Sequence, residues 1–289
     1  MSEQVCKADM GGDGAAVVDT YGYPVETTGN AVLDILEHRS STRAFARDDD
    51  DRPVAVTDEQ RAAILHAASR APSAGAMMMY SIVSIREQAT LDRLADLCDH
   101  QPMIAKRPAL IFVVDYAKWI DLFEHVGCFE PEFVERTGKA PRRAPGLGDF
   151  AIAAQDAVIA AQNAVVAAEA LGLGSCYIGD IVENAEEVAA LLDLPPYTMP
   201  LSMLIIGTPR KERPAIAHPV VNLVHEERYC RADAATMDAQ VAEMDAMFRP
   251  HAREVGERVV DIYTRKHTSP FMAEMSRSME WWFKNWLGK

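Results

Sequence analysis

The sequence predicts a mixed fold of the α+β (mixed α/β) class, with a small central sheet set between helices. Three observations carry that expectation. Amphipathic helical stripes with recognisable starts alternate with short strand-like runs along the chain. The run Ala109-Leu-Ile-Phe-Val-Val114 is continuously apolar, the pattern of a strand covered on both faces. Phe150 to Leu171 reads as the longest helix and is dominated by alanine, so neighbouring backbones approach it closely, within the subunit or across a dimer.

The composition fits one substantial core, with room for arms: 289 residues, 49% hydrophobic and 25% charged. A net charge of −14 repels nucleic-acid phosphates and anionic lipid, so neither is an expected partner. Five scattered cysteines form no C-x-x-C pair, which argues against a disulfide scaffold or a zinc site and fits a reducing cytoplasm. There is no H-E-x-x-H, no P-loop, and no apolar run long enough to span a bilayer. The N-terminus carries Glu3 and Asp9 without an apolar stretch, so no secretory signal is expected.

Taken in order, residues 1–28 read as a flexible tail. Asn30 is the N-cap of a helix whose stripe is Val32, Leu33, Ile35 and Leu36 and which ends near His38. Thr57 and Gln60 form a capping box for a second helix, stopped by Pro72. Tyr80–Ile85 reads as a strand, Leu91–Leu97 as a helix, and 115–126 as another helix. Residues 127–148 mix Gly, Pro and charge and read as a long excursion, a lid or interface arm. The long helix ends at Gly172 and Gly174. A strand at Ser175–Ile178, a helix over 184–192 and a strand at Pro200–Ile206 follow. The body is therefore 29–232. Residues 233–289 form a helical arm whose Trp281, Trp282 and Trp286 call for cover, expected from a partner subunit.

Two segments stand out chemically. Arg39-Ser40-Ser41-Thr42-Arg43-Ala44-Phe45 puts two guanidinium forks and three hydroxyls together, a donor set suited to phosphate. The alternative is a helix end with solvated charges. Ala71-Pro72-Ser73-Ala74-Gly75-Ala76-Met77-Met78-Met79-Tyr80 joins a helix stop to three methionines, which pack adaptably against flat rings or fill a core.

Together the two segments resemble the nitroreductase family of FMN-dependent oxidoreductases, and three further segments follow in the family's order, so that the resemblance covers roughly residues 30–230. The first matches at Arg39, Ser41, Arg43 and Phe45. The resemblance implies that Arg39, Ser40 and Ser41 hold the FMN phosphate and ribityl chain, while Arg43 approaches the pyrimidine edge and tunes the flavin. The alternative for Arg43 is an exposed salt bridge. The second implies flavin contacts from Pro72, Ser73, Ala74, Gly75, Met77 and Met78, contributed by the partner subunit. It departs from the family at Ala76 and Met78, where asparagine and glutamine are common, which leaves the substrate side more apolar. Gln101, in Asp99-His100-Gln101-Pro102, matches an amide that meets the flavin edge, or is a surface glutamine. Gly174 and the run Tyr177, Ile178, Gly179 and Asp180 resemble a segment whose backbone N–H groups face flavin N5, where a Cβ would obstruct the ring. Cys176 reads as packing. Lys211 and Arg213 match a basic pair that closes on the phosphate.

By this resemblance the fold is a mainly antiparallel sheet in an intertwined homodimer with tightly bound FMN at the interface. The activity implied is ping-pong transfer of hydride from NAD(P)H through flavin N5 to flat acceptors such as nitroaromatics, quinones or free flavin. No protein side chain is named as catalytic, and no metal is implied. A reductive dehalogenase-like enzyme or a non-catalytic flavin-binding protein would share the fold. A dinucleotide-binding dehydrogenase is disfavoured, because Tyr177 stands where a third glycine belongs and a helix precedes the segment.

Overall fold

The computed structural model describes residues 17–18, 24–25, 29–139, 142–210, 222–251 and 253–288. The chain forms two compact units, residues 41–212 with 273–289, and residues 1–40 with 213–272.

The larger unit is built on a four-stranded sheet: β3 (Tyr80–Ile85), β4 (Ala109–Asp115), β5 (Gly174–Ile178) and β6 (Thr198–Gly207). The strand order is β3-β4-β6-β5 and every pairing is antiparallel. Successive side chains on a strand face opposite sides, and β4 shows this directly. Ile111 and Val113 join one buried cluster, while Leu110, Phe112 and Val114 join the other. A register irregularity between Phe112 and Val113 marks the pairing with β6.

Helices cover both faces. On one side lie α3 (Gln88–Leu97) and α7 (Ala185–Leu191), through Leu91, Leu94, Ala185 and Val188. On the other lie α2 (Asp58–Ser69), α4 (Ala117–His125) and α6 (Leu147–Ala170), through Ile64, Ile120 and a row of alanines from Ala153 to Ala168. Alanine at these positions lets α6 lie close on the sheet and on α2. The capping box of α2 is present: Gln60 N–H donates to Thr57 Oγ1 at 3.1 Å, and Thr57 N–H to Gln60 Oε1 at 3.0 Å.

Three expectations change. Residues 127–148 are not one excursion, since α5 (Pro131–Thr137) occupies the middle. Pro131 opens it and Gly138 closes it with φ 64°, a left-handed cap that glycine adopts freely. The helix α6 is long and apolar enough, by length and composition alone, to cross a membrane, which the sequence reading did not expect. Its alanines are packed on the sheet, and it carries the buried Asp156. Finally, α10 (Pro270–Trp286) covers its own chain. Trp282 and Trp286 are fully buried, and their indole N–H groups donate to Val182 O at 2.9 Å and Gly146 O at 3.1 Å. These two rings are met inside the chain, not by a partner subunit.

In the smaller unit, β1 (Val17–Val18) pairs with β2 (Pro24–Val25), both inside the segment read as a tail, most of which lies outside the described residues. Asn30 caps α1 (Ala31–His38) through Val32 and Leu33 N–H. This unit also contains α8 (Ala234–Phe248) and α9 (Glu257–Ile262). Buried Asp245 joins the two by accepting from the N–H groups of Gly256 and Arg258.

Candidate functional site

Residues 41–46 are laid along one end of the sheet by backbone bonds. Ser41 forms a parallel bridge with Ser175 on the edge strand β5, and Thr42 N–H donates to Ser175 O at 2.8 Å. Further on, Ala46 N–H donates to Thr208 O at 2.8 Å, and Arg210 N–H to Ala44 O at 3.0 Å. Three of the segments singled out in the sequence therefore converge: the first motif, the glycine segment at β5, and the residues following β6. Lys211 and Arg213, the basic pair expected there, lie outside the described residues.

Side-chain placement follows from this register. Thr42 and Phe45 point inward, whereas Ser41 and Arg43 are exposed. The Arg43 guanidinium makes no hydrogen bond or ion pair among the described residues, which sets aside the salt-bridge alternative within them. Arg39 and Ser40 belong to the smaller unit, where Arg39 N–H caps α1 by donating to Ile35 O and Ser40 is buried.

Glycine is required at two contacts. A Cβ on Gly174 would run into the Thr42 hydroxyl, and one on Gly207 would come within 2.9 Å of the Phe45 ring. The constraint at Gly174 is the Thr42 side chain packed against it. By contrast, a Cβ at Gly179 would meet nothing within 4 Å, so the backbone there is open. Tyr177 is exposed, and Ile178 is a core side chain that leaves only its backbone for the site. Asp180 accepts from the Gln101 side-chain amide, so these two predicted residues form one unit. Cys176 is buried, as its reading as packing required.

The second motif is a tight loop. Gly75, Ala76 and Met78 have φ of 57°, 55° and 49°, left-handed backbone that alanine and methionine rarely adopt. What holds it is Asp156 on α6, which the sequence reading missed. This carboxylate is 2% exposed and accepts from Ala74 N–H at 3.0 Å and Met79 N–H at 3.2 Å. Ser73 Oγ accepts from Met78 N–H at 3.1 Å, and Trp119 Nε1–H donates to Met77 O at 2.9 Å. The signal in the sequence was a lone acid inside an alanine helix: a charge on a buried face needs donors. Burial and the charge of Asp156 both push the nearby Tyr80 phenol up. Of the three methionines, Met79 is core, Met77 packs against the core, and Met78 is exposed, as is Pro72.

The geometry defines an α+β protein whose candidate site is an open sheet end lined by the exposed Ser41, by the Arg43 guanidinium, unpaired among the described residues, and by uncovered backbone at Gly179. The profile of the Nitroreductase family matches residues 36–208, more than half of the chain. The chain belongs to the nitroreductase family. It is 31% identical over 215 residues to an FMN reductase [NAD(P)H] of Bacillus subtilis, covering 73% of this chain and 79% of that protein. It is 32% identical over 218 residues to an oxygen-insensitive NADPH nitroreductase of Salmonella typhimurium, covering 73% and 81%. Among solved structures, the NADPH:FMN oxidoreductase of Vibrio harveyi complexed with NAD+ superposes with a TM-score of 0.66 at 25% identity, covering 86% of this chain and 97% of that one.

Proposed function

We propose that this protein is an NAD(P)H-dependent FMN oxidoreductase that reduces flat acceptors such as nitroaromatics, quinones or free flavin by a ping-pong cycle. Bound FMN supplies the redox chemistry, accepting hydride from the nicotinamide and passing electrons on. The observation that carries the reading is the register of Ser41 on Ser175, which sets Ser41 and Arg43 beside the strand leading to the open backbone at Gly179. The donor set fits FMN: a hydroxyl and a cation with no counter-ion among the described residues suit an anionic cofactor in a protein of net charge −14.

Within this reading Arg39, Ser40 and Ser41 bind the phosphate and ribityl chain, with Lys211 and Arg213 closing on it. Arg43 holds positive charge at the pyrimidine edge and favours the reduced, anionic ring. The backbone of 178–180 presents N–H donors, and the Gln101 amide is oriented by Asp180. The loop of Pro72, Ser73, Ala74, Gly75, Met77 and Met78 covers the site of the neighbouring protomer in a homodimer. Supporting that assembly, α6 exposes Leu147, Ile152, Val158 and Ile159, apolar side chains that a second copy would cover. The flavin-binding body, read from the sequence as 29–232, has its sheet in the unit of residues 41–212 with 273–289. None of the four described cysteines forms a disulfide, which suits the cytoplasm.

The test is an anaerobic absorbance spectrum before and after NADPH. Flavin bands that bleach and return with a nitroaromatic or quinone support the cycle. A protein that stays colourless after FMN is added refutes it.

A further inference from the structure

A cavity lies within the larger unit, between the start of α2, the 53–56 segment and the ends of β4 and β6, with a volume of about 260 Å³. This is just below the roughly 300–1,000 Å³ of most ligand pockets, room for one short organic group. None of its lining residues is among those assigned to the flavin above. Its walls are apolar: Val54, Val56, Ile64, Leu110 and Ile206. Its polar groups are all cationic: Arg61, Arg86, Lys106 and Arg107.

The partners of those cations are unequal. Arg86 is paired with Asp58 at 3.3 Å. Among the described residues Arg61 donates to one neutral hydroxyl, Ser84 Oγ, from Nε at 3.3 Å and Nη2 at 2.9 Å. Arg107 is 5% exposed, its guanidinium lies 5.1 Å over the Phe45 ring, and among the described residues its Nη2 donates to a neutral carbonyl, Ala46 O, at 2.9 Å. Its Nη1 is buried with no hydrogen-bond partner among the described residues. Lys106 is exposed and makes no hydrogen bond or ion pair among them. A buried guanidinium without a carboxylate is costly, and burial with the nearby charge of Arg47 disfavours its charged form.

We propose that this cavity binds a small organic carboxylate, its anion meeting Arg61 and Lys106 with the charge of the buried Arg107 behind them, and its short aliphatic body filling the apolar end. The paucity of free donors argues for a monoanion with an apolar body over a phosphate, whose several oxygens would go unmet. The inference does not rest on flavin binding, and each can fail without the other.

The probe is hexanoate, titrated calorimetrically into the full-length protein as purified, with hexanamide and inorganic phosphate as controls and the flavin absorbance followed in parallel. Hexanoate is expected to bind at least about tenfold more tightly than either control, without moving the flavin bands. Lys106→Ala, an exposed change that leaves the core intact, should weaken it several-fold, and Arg61→Met by about tenfold, charge-assisted bonds being the stronger ones. Binding no tighter than hexanamide, or phosphate binding as tightly, overturns the proposal. So does binding that survives both substitutions and shifts the flavin bands, which places the anion at the flavin instead.

Discussion

Residues 41–46 and residues 73–79 both carry motifs assigned to the flavin, yet they are held in opposite ways. The first is fixed by backbone pairing to β5 and to the residues after β6, so its exposed side chains contribute little to its position. The second has three left-handed residues and hangs on one buried carboxylate, helped by a serine and an indole. A segment held by register tolerates changes of its outward residues, whereas one held by a single anchor transmits the loss of that anchor along its whole length.

The largest effect that would expose this difference is Asp156→Ala. It leaves the N–H groups of Ala74 and Met79 without their acceptor, and we expect a loss of about 3 kcal/mol in urea unfolding. A loss under about 1 kcal/mol, as for an exposed side chain, would show that the loop does not depend on this carboxylate. Next, Gly174→Ala attacks the first segment where its backbone lies closest. Crowding against Thr42 should cost about 2 kcal/mol. Thr42→Ser should not relieve it, because the hydroxyl remains, and Thr42→Ala only in part, since the Thr42 Cβ would still lie at 2.8 Å.

Arg43→Ala should separate position from function: unfolding changes by less than about 0.5 kcal/mol, while kcat/KM for NADPH falls by about tenfold, as expected for one exposed charge near a reacting ring. Matching losses in both would mean Arg43 is structural. In the loop, Ala76→Gly should stabilise by up to about 1 kcal/mol, because glycine adopts the observed φ without strain.

The smallest effect lies away from both segments and serves as a control. Arg277 and Ser278 hold the Glu274 carboxyl at about 2, below its usual value near 4.5. A depressed carboxyl contributes stability that is fully present above its unfolded pKa and is lost as pH falls through the folded one. Thermal unfolding of the wild type should therefore lose slightly more than that of Glu274→Gln between about pH 4.5 and pH 2, by less than about 1 kcal/mol for so exposed a pair. Equal losses would mean that the contact carries no net energy.

Much of this architecture was legible because local rules act through neighbours in sequence. Asn30, Thr57 with Gln60, and the run 109–114 each specify an element by themselves. The helix at 131–137 was also legible in principle, since Pro131 and Gly138 are its start and stop, but the same two residues read as loop when no long stripe lies between them. The cover over Trp282 and Trp286 was not legible: it depends on residues 100 and 140 positions away. In the site, Ser41 and Arg43 stood out by motif. Asp156 did not, because an acid in a helix is ordinarily solvated, and only packing on the sheet turns it into an anchor.

The placement of α10 bears on how the protein is made. The sheet is complete once residue 207 has been synthesised, but Trp282 and Trp286, which belong to opposite core clusters, arrive only later. A nascent chain held before residue 282 would display two unfilled apolar slots, a surface that invites chaperones or self-association. The same holds for any product cut short in α10: it keeps every strand and every flavin motif, yet cannot close its core.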